Sequence, residues 1–422
     1  MRFTLHTMFY VKSRLRRGFS FPDTPISYKI RIRRFPQVVH SSSEVLFSKC
    51  YYNEVFLGMA GGCTHIEHAV ELSTRRPCMD GRYTTYGVRE NISTASLSTL
   101  RAGGPARFCV SVRDIDTLQS LITNLKRDEI PWFVIGGGSN ILFSEQGFDG
   151  CIIKMEIEGV VDISENETET EVSVGAGVSW DIFVREMCER GLWGIENLSG
   201  IPGTVGATPV QNVGAYGVEI QEVITRAQVF DTKTETFCEF TNTECAFGYR
   251  DSFFKRAERG RYIITHVTFL LSKSSSPRIE YKDLAEYFSA KVPTLLEIRE
   301  AVLTIRSKKF PDLTRVGTAG SFFKNPILSQ EEYDTILKKY PNIPSYPTCE
   351  GKKKIPLGWI LDKVLHLKGY RKGNVGLFEN QSLILVAYEN ATATEIDIFA
   401  KEIAEKVFSE TSISIEREVV CL

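Results

Sequence analysis

Along residues 90–422 the apolar positions change period repeatedly, and each change marks an element. Leu118–Lys126 (LQSLITNLK) has the spacing of a helix, with Leu118, Leu121, Ile122 and Leu125 on one face. Trp132–Gly136 and Cys151–Met155 are short apolar runs of strand length, and Val172–Ala176 alternates like a half-buried strand. Ser179–Arg190 predicts a helix capped by Ser179 and stopped by Gly191. Ala227–Phe240, with turn residues at 232–234, predicts a hairpin. Leu295–Lys308 predicts a helix closed by Pro311, and Leu357–Leu365 predicts another. Leu383–Ala387 predicts a strand, Thr394–Phe408 a helix, and Ile413–Val420 a last strand whose alternation puts Glu416 and Glu418 on one face. Helices and strands mixed in this way predict an α+β protein.

Two glycine-rich segments interrupt the pattern. Ile201–Gly217 (IPGTVGATPVQNVGAYG) holds four glycines and two prolines in 17 residues, with no charge. A disordered linker is polar and charged, and a helix does not tolerate that much glycine. A tight loop remains, its backbone close to something that a side chain would displace. Upstream, Trp132–Asn140 (WFVIGGGSN) reads as a buried strand ending in a tight turn. It carries no Gly-Lys-Ser/Thr and no G-x-G-x-x-G leading into a helix, so it is neither a Walker loop nor the usual dinucleotide fingerprint. Bare amides in such turns suit phosphate. The pair predicts a cofactor cradle made of Gly136, Gly137, Gly138, Ser139 and Asn140 with Ile201, Pro202, Gly203, Gly206 and Gly214.

Composition narrows the class. A chain of 422 residues accommodates two or three domains, and 42% hydrophobic residues with a net charge of −1 describe an ordinary globular protein. No basic excess points to nucleic acid, and no apolar run of membrane-spanning length occurs. Ten cysteines without a C-x-x-C pair read as reduced thiols. Residues 1–43 hold nine Lys/Arg and one acid, Asp23, as organelle transit peptides do, and a functionless extension is the equal alternative. Cys63, His65 and His68 lack a fourth ligand, so no metal site is expected.

A series of motifs in order makes the reading specific. Thr99-x-Arg101-x-Gly103-Gly104-Pro105-Ala106 is followed by IGGGSN at 135–140 and GIENLSGIPGTVGATPVQNVGAYGVE at 194–219. FGYRDSFFK at 247–255, GTAGSFFKNP at 317–326 and IEREV at 415–419 complete it. From about residue 90 to the C-terminus the chain resembles the MurB family of flavoenzymes, in its longer subtype. The resemblance implies a two-subdomain FAD-binding fold of the vanillyl-alcohol-oxidase (PCMH) type plus a C-terminal α+β substrate-binding domain. The expected division is a basic extension at 1–88, an FAD-binding domain at 89–309 and a substrate domain at 310–422.

The implied activity is NADPH-dependent reduction of UDP-N-acetylglucosamine enolpyruvate in peptidoglycan precursor synthesis. That chemistry needs a hydride at one carbon, a proton at its neighbour, and stabilisation of charge building on the carboxylate. By motif matching, Ser321 is the proton donor and Arg250 grips the carboxylate, its planar fork suited to two oxygens. Glu416, the first acid of the C-terminal pair, is the third catalytic member. Tyr216, Tyr281, Lys309, Asn325 and Gln381 fall on substrate-gripping positions, with Lys308 an alternative to Lys309 at the diphosphate. No histidine stands in Gly138-Ser139-Asn140, so the FAD is expected to be non-covalent. Arg417 and Thr208 depart from the family pattern, where proline and Ala or Ser are common. A monomer in the cytoplasm is expected, or in an organelle stroma if the extension is a transit peptide. The alternatives are an oxidase or dehydrogenase on the same scaffold and a non-catalytic binder of flavin or UDP-sugar.

Overall fold

A computed structural model describes residues 81–289, 292–348 and 350–422. The basic leader and Cys63, His65 and His68 lie outside the described residues. The first sheet has β1 (Arg89–Ser93), β2 (Pro105–Val112), β3 (Trp132–Ile135) and β4 (Phe148–Met155), in the order β1-β2-β4-β3. β2 and β3 both run parallel to β4, which requires a crossover, and α1 (Ile115–Arg127) supplies it. The Asp114 carboxylate accepts from Thr117 N at 2.7 Å to start α1. Its buried face is Leu118, Leu121, Ile122 and Leu125, the face predicted from spacing.

The second sheet is antiparallel. It holds β5 (Val160–Glu165), β6 (Glu169–Gly175), β7 (Ile224–Asp231), β8 (Thr236–Thr241) and β9 (Tyr262–Ser272), in the order β8-β7-β9-β6-β5. The predicted hairpin is β7–β8. Helix α2 (Trp180–Glu189) buries Trp180 and Phe183 against Phe269 of β9, ring centroids 5.1–6.0 Å apart. Ser179 occupies its N-cap as predicted, but its side chain makes no capping bond there.

Three more helices complete this half: α3 (Phe253–Arg256), α4 (Lys282–Phe288) and α5 (Leu295–Lys309). α5 opens on a capping box between Thr294 and Glu297. Arg299 of α5 grips Asp181 of α2 with both nitrogens, at 2.7 and 3.0 Å, while Asp181 also accepts from Gly200 N at 2.6 Å. The pair therefore anchors the glycine-rich segment to two helices. Burial pushes the Asp181 carboxyl up, but Arg299 and the Gly200 amide outweigh it and leave it below the usual carboxylate range. A depressed acid contributes stability above its unfolded pKa and loses it as pH falls through the folded value. Arg299→Met is expected to destabilise by about 2 kcal/mol at neutral pH, between buried and exposed pairs because Asp181 is partly solvated. In denaturant titrations the difference from wild type should shrink below about pH 4, and an equal loss at all pH values would contradict the pairing.

The C-terminal part contains α6 (Gln330–Lys339), a small sheet of β10 (Arg371–Lys372), β11 (Val375–Leu377) and β12 (Leu385–Ala387), and α7 (Ala393–Thr411). Its core joins Leu357, Ile360, Leu361, Phe399, Ile403 and Val407 to Leu100, Ala102 and Leu142 from the N-terminal half. Two expectations need correction. Leu357–Leu365 is not one regular helix: after a single turn at Leu357–Trp359 it widens, and Leu365 N reaches back five residues to Ile360 O at 3.0 Å. Ile413–Val420 is not one strand either, because the segment changes partners. Around Arg417 it pairs with Phe323, and only Val420–Cys421 forms a ladder, parallel to Ile141–Leu142. Alternation reports the extended backbone but not the change of neighbour. No helix among the described residues is long and apolar enough to cross a membrane.

Candidate active site

The two glycine-rich loops pack against each other. A Cβ on Gly136 would lie 2.1 Å from Thr204 Oγ1, and one on Gly137 would lie 3.0 Å from Gly203 Cα. Gly138 has φ +64°, and its Cβ would fall 1.8 Å from Leu97 O. Gly138 O accepts from Thr99 N at 3.0 Å, so the turn is pinned to the start of the Thr99 motif. Around it Ser98 Oγ, Thr99 Oγ1 and Thr204 Oγ1 are buried with no hydrogen-bond partner among the described residues. Buried polar groups normally find partners. Three orphaned hydroxyls beside bare backbone fit a ligand rich in acceptors, and FAD is such a ligand.

Gly138→Ala tests the cradle. The clash is with backbone and the φ is unfavourable for alanine, so the loop has to move, at a cost of about 2 kcal/mol or more. The purified variant is expected to lose most of its flavin absorbance, and full flavin occupancy with an unchanged melting temperature would contradict the cradle. Gly206 and Gly214 each make a further close contact within the protein. Gly206 packs on Ala176, its Cβ position 2.5 Å from Ala176 Cβ, and holds the loop on the sheet. Gly214 O accepts from Arg250 Nη2 at 2.8 Å, so it seats the arginine. Ile201 and Pro202 lead into Gly203, whose carbonyl accepts from Trp180 N at 3.1 Å.

Arg250 is the centre of a charge cluster. Its φ is +52°, held by paired bonds between Gly248 and Asp251 at 3.0 and 3.2 Å. Its Nε lies 3.1 Å from Glu418 Oε1, with side chains 22% and 10% exposed. Glu416, the acid chosen from the motif, is 77% exposed and pairs at 2.9 Å with Lys324 at the rim. The two acids, expected on one strand face, differ in surroundings: the Glu418 side chain is 10% exposed and that of Glu416 77%. Burial pushes the Glu418 carboxyl above the usual range, against the pull of Arg250, Lys255 and Lys324. It therefore keeps a proton more readily than an exposed glutamate does.

Glu418 also joins two motifs. Its amide donates to Phe322 O at 2.9 Å, and its carbonyl accepts from Asn140 Nδ2 at 3.3 Å. One residue therefore ties the IGGGSN turn to the Ser321 segment. Ser321 itself bridges to Ile384 on the other side, and its hydroxyl makes no hydrogen bond among the described residues.

A second group surrounds Tyr216, which is 8% exposed and meets Tyr281 edge to face, centroids 5.4 Å apart. Burial pushes the Tyr216 hydroxyl up to about 12, against the influence of Arg306. Tyr281 is the N-cap residue of α4, and Lys309 pairs with Asp283, two residues further on. Lys309 is thus the lysine that faces the Tyr281 helix, while Lys308 is exposed. Arg306 lies over the Phe310 ring at 4.3 Å, and a Cβ on Gly320, beside Ser321, would lie 3.9 Å from that ring. Asn325 Oδ1 accepts from Leu357 N at 2.9 Å, and Gln381 Oε1 lies close to Gly358. Those two share the first turn of Leu357–Trp359 and are tied into it. Sequence reasoning weighed Glu418 only as the alternative to Glu416 and did not single out Lys255, Ser98 or Thr204. Thr99 stood at the head of a quoted motif and carried the available signal.

Comparisons with known proteins give the family. A family model described as an FAD binding domain matches residues 106–239. A second, the C-terminal domain of UDP-N-acetylenolpyruvoylglucosamine reductase, matches 312–422. The reductase of that name from Polynucleobacter asymbioticus is 40% identical over 329 residues, 78% of this chain and 94% of the relative. Those from Neisseria meningitidis serogroup B and Amoebophilus asiaticus are 38% and 39% identical, covering 78% and 79% of this chain and 96% and 98% of the relatives. The crystal structure of the Thermus caldophilus enzyme, at 24% identity, superposes with a TM-score of 0.56 over 79% of this chain and 99% of its own, a likeness of fold.

Proposed function

The chain belongs to the UDP-N-acetylenolpyruvoylglucosamine reductase family, and from that premise we propose which of its own residues carry the reaction. The activity is the FAD-dependent reduction of UDP-N-acetylglucosamine enolpyruvate, with NADPH as reductant, in peptidoglycan precursor synthesis. When bound, FAD relays hydride from NADPH to the enolpyruvyl group. Gly136–Asn140 and Ile201–Gly203 would hold it, with Ser98, Thr99 and Thr204 as the hydroxyls that find partners.

Arg250 meets the substrate carboxylate, where charge grows as hydride arrives at the terminal vinyl carbon. Glu418, whose carboxyl burial holds above the usual carboxylate range, donates a hydrogen bond to the same developing enolate. Ser321 delivers the proton to the carbon bearing the ether oxygen. Tyr216 and Tyr281 pack on the UDP-sugar, Lys309 answers the diphosphate by leaving Asp283, and Asn325 and Gln381 fix the far end. The observation that carries this assignment is the largely buried Arg250–Glu418 pair, seated on Gly214 and tied to both the glycine turn and the Ser321 segment.

We place the activity in a monomer and in the cytoplasm, or in an organelle stroma if residues 1–88 contain a transit peptide. The free cysteines among the described residues support a reducing compartment. We keep 89–309 as the FAD-binding domain and 310–422 as the substrate domain. Mass spectrometry of the product tests the function directly. The substrate should gain two hydrogens when NADPH and enzyme are both present. Consumption of NADPH with unchanged substrate mass would favour an oxidase on this scaffold.

A further inference from the structure

Arg250 has an unusual backbone for a side chain that must be aimed accurately. Left-handed φ costs a non-glycine residue about 1–2 kcal/mol and persists only where the surroundings enforce it. The Gly248–Asp251 bonds close the turn on one side. On the other, Lys255 Nζ donates to the Arg250 carbonyl at 2.9 Å. Lys255 is itself placed by Ser252, fully buried, whose hydroxyl accepts from Lys255 N at 3.3 Å and donates to Val210 O at 2.6 Å. A half-buried lysine spending its ammonium on one carbonyl is costly unless its charge is also used.

The charges around it supply that use. Glu418, Arg250 and Lys324 all act on the Lys255 ammonium, and so does Asp251 of its own loop. Arg250, Lys255 and Lys324 in turn act on Glu418. Asp251 is also paired with Arg256, and Glu416 with Lys324. Lys255 thus joins the Arg250 turn to the acid opposite it, on an element that none of the proposed substrate-gripping residues shares.

We infer that Lys255 is a positioning residue for the substrate half-reaction, holding the Arg250 turn by its carbonyl and setting the charge that Glu418 faces. This rests on the roles proposed for Arg250 and Glu418. Two consequences follow. Loss of the ammonium lets the Arg250 turn relax and misplaces the guanidinium. It also removes a cation that favours ionised Glu418, so the proton on Glu418 is held to higher pH.

The experiment uses the full-length holoenzyme, followed by anaerobic stopped-flow from pH 6 to pH 10. Lys255→Met is expected to slow reoxidation of reduced flavin by substrate about 10- to 100-fold, while NADPH bleaches the flavin normally. The alkaline limb of the surviving activity should move up by about half a pH unit or more. Lys255→Arg, which keeps the charge and a carbonyl donor, should restore the limb and most of the rate. If the methionine variant does not retain flavin, Lys255→Gln is read in its place. A wild-type rate, or a slower rate with an unmoved limb and no rescue by arginine, overturns the inference. Glu418→Gln in the same series separates the two levels. If it too behaves as wild type, the reading of the site fails; if it collapses while Lys255→Met does not, only the role of Lys255 fails.

Discussion

Glu418→Gln is expected to slow substrate reduction by about 10²- to 10⁴-fold, while Glu416→Gln stays within about threefold of wild type. The difference follows from surroundings, since both residues are glutamates two positions apart. Glu418 is nearly buried, 3.1 Å from Arg250 Nε, with its proton favoured by burial. Glutamine preserves its volume and a hydrogen-bond donor but has no acidic proton to share with a developing enolate. Glu416 is a solvated rim charge whose one contact is Lys324, and exposed pairs of that kind contribute about 0–1 kcal/mol. The check is single-turnover oxidation of the reduced enzyme by substrate, with NADPH-driven bleaching as the internal control. If Glu416→Gln collapses and Glu418→Gln does not, the assignment is reversed.

Ser321→Ala carries the second large effect. Its hydroxyl is free of protein hydrogen bonds among the described residues, on a segment fixed by Phe322 N to Leu383 O at 3.1 Å and by the Glu418 amide. Removing it deletes the proton donor without disturbing the ladder. The expected result is a loss of about 10²- to 10⁴-fold in substrate turnover, an unchanged melting temperature and normal bleaching by NADPH. Equal loss in both half-reactions would mean that Ser321 serves the flavin site and not the substrate. Cysteine at this position, a stronger acid of similar size, is the useful companion variant.

The elements with strong periodicity were legible from the chain. Residues 115–127, 295–309 and 393–411 form helices around the predicted centres, and the β7–β8 hairpin lies where its turn residues put it. What failed did so for stated reasons. The apolar run at 357–365 fits a helix, but the backbone widens there to bring Leu365 N to Ile360 O. The last segment exchanges Phe323 for Ile141–Leu142 as neighbour, which no alternation records. Motif order led to Arg250, Ser321 and the Gly136–Asn140 turn, all of which the fold gathers through Gly214, Phe322 and Asn140. It chose Glu416 over Glu418 as the first acid of the pair, whereas face alternation treats the two alike and burial distinguishes them. Gly206 shows the opposite limit, since a glycine in a ligand-like loop packs on Ala176.

The central claim is that these residues reduce an enolpyruvyl UDP-sugar in two separable half-reactions, and anaerobic stopped-flow on the flavin-loaded protein tests it most directly. NADPH should bleach the flavin band, and UDP-N-acetylglucosamine enolpyruvate added afterwards should restore it stoichiometrically. Bleaching with no recovery on adding the substrate, and rapid recovery on admitting oxygen, would contradict the account.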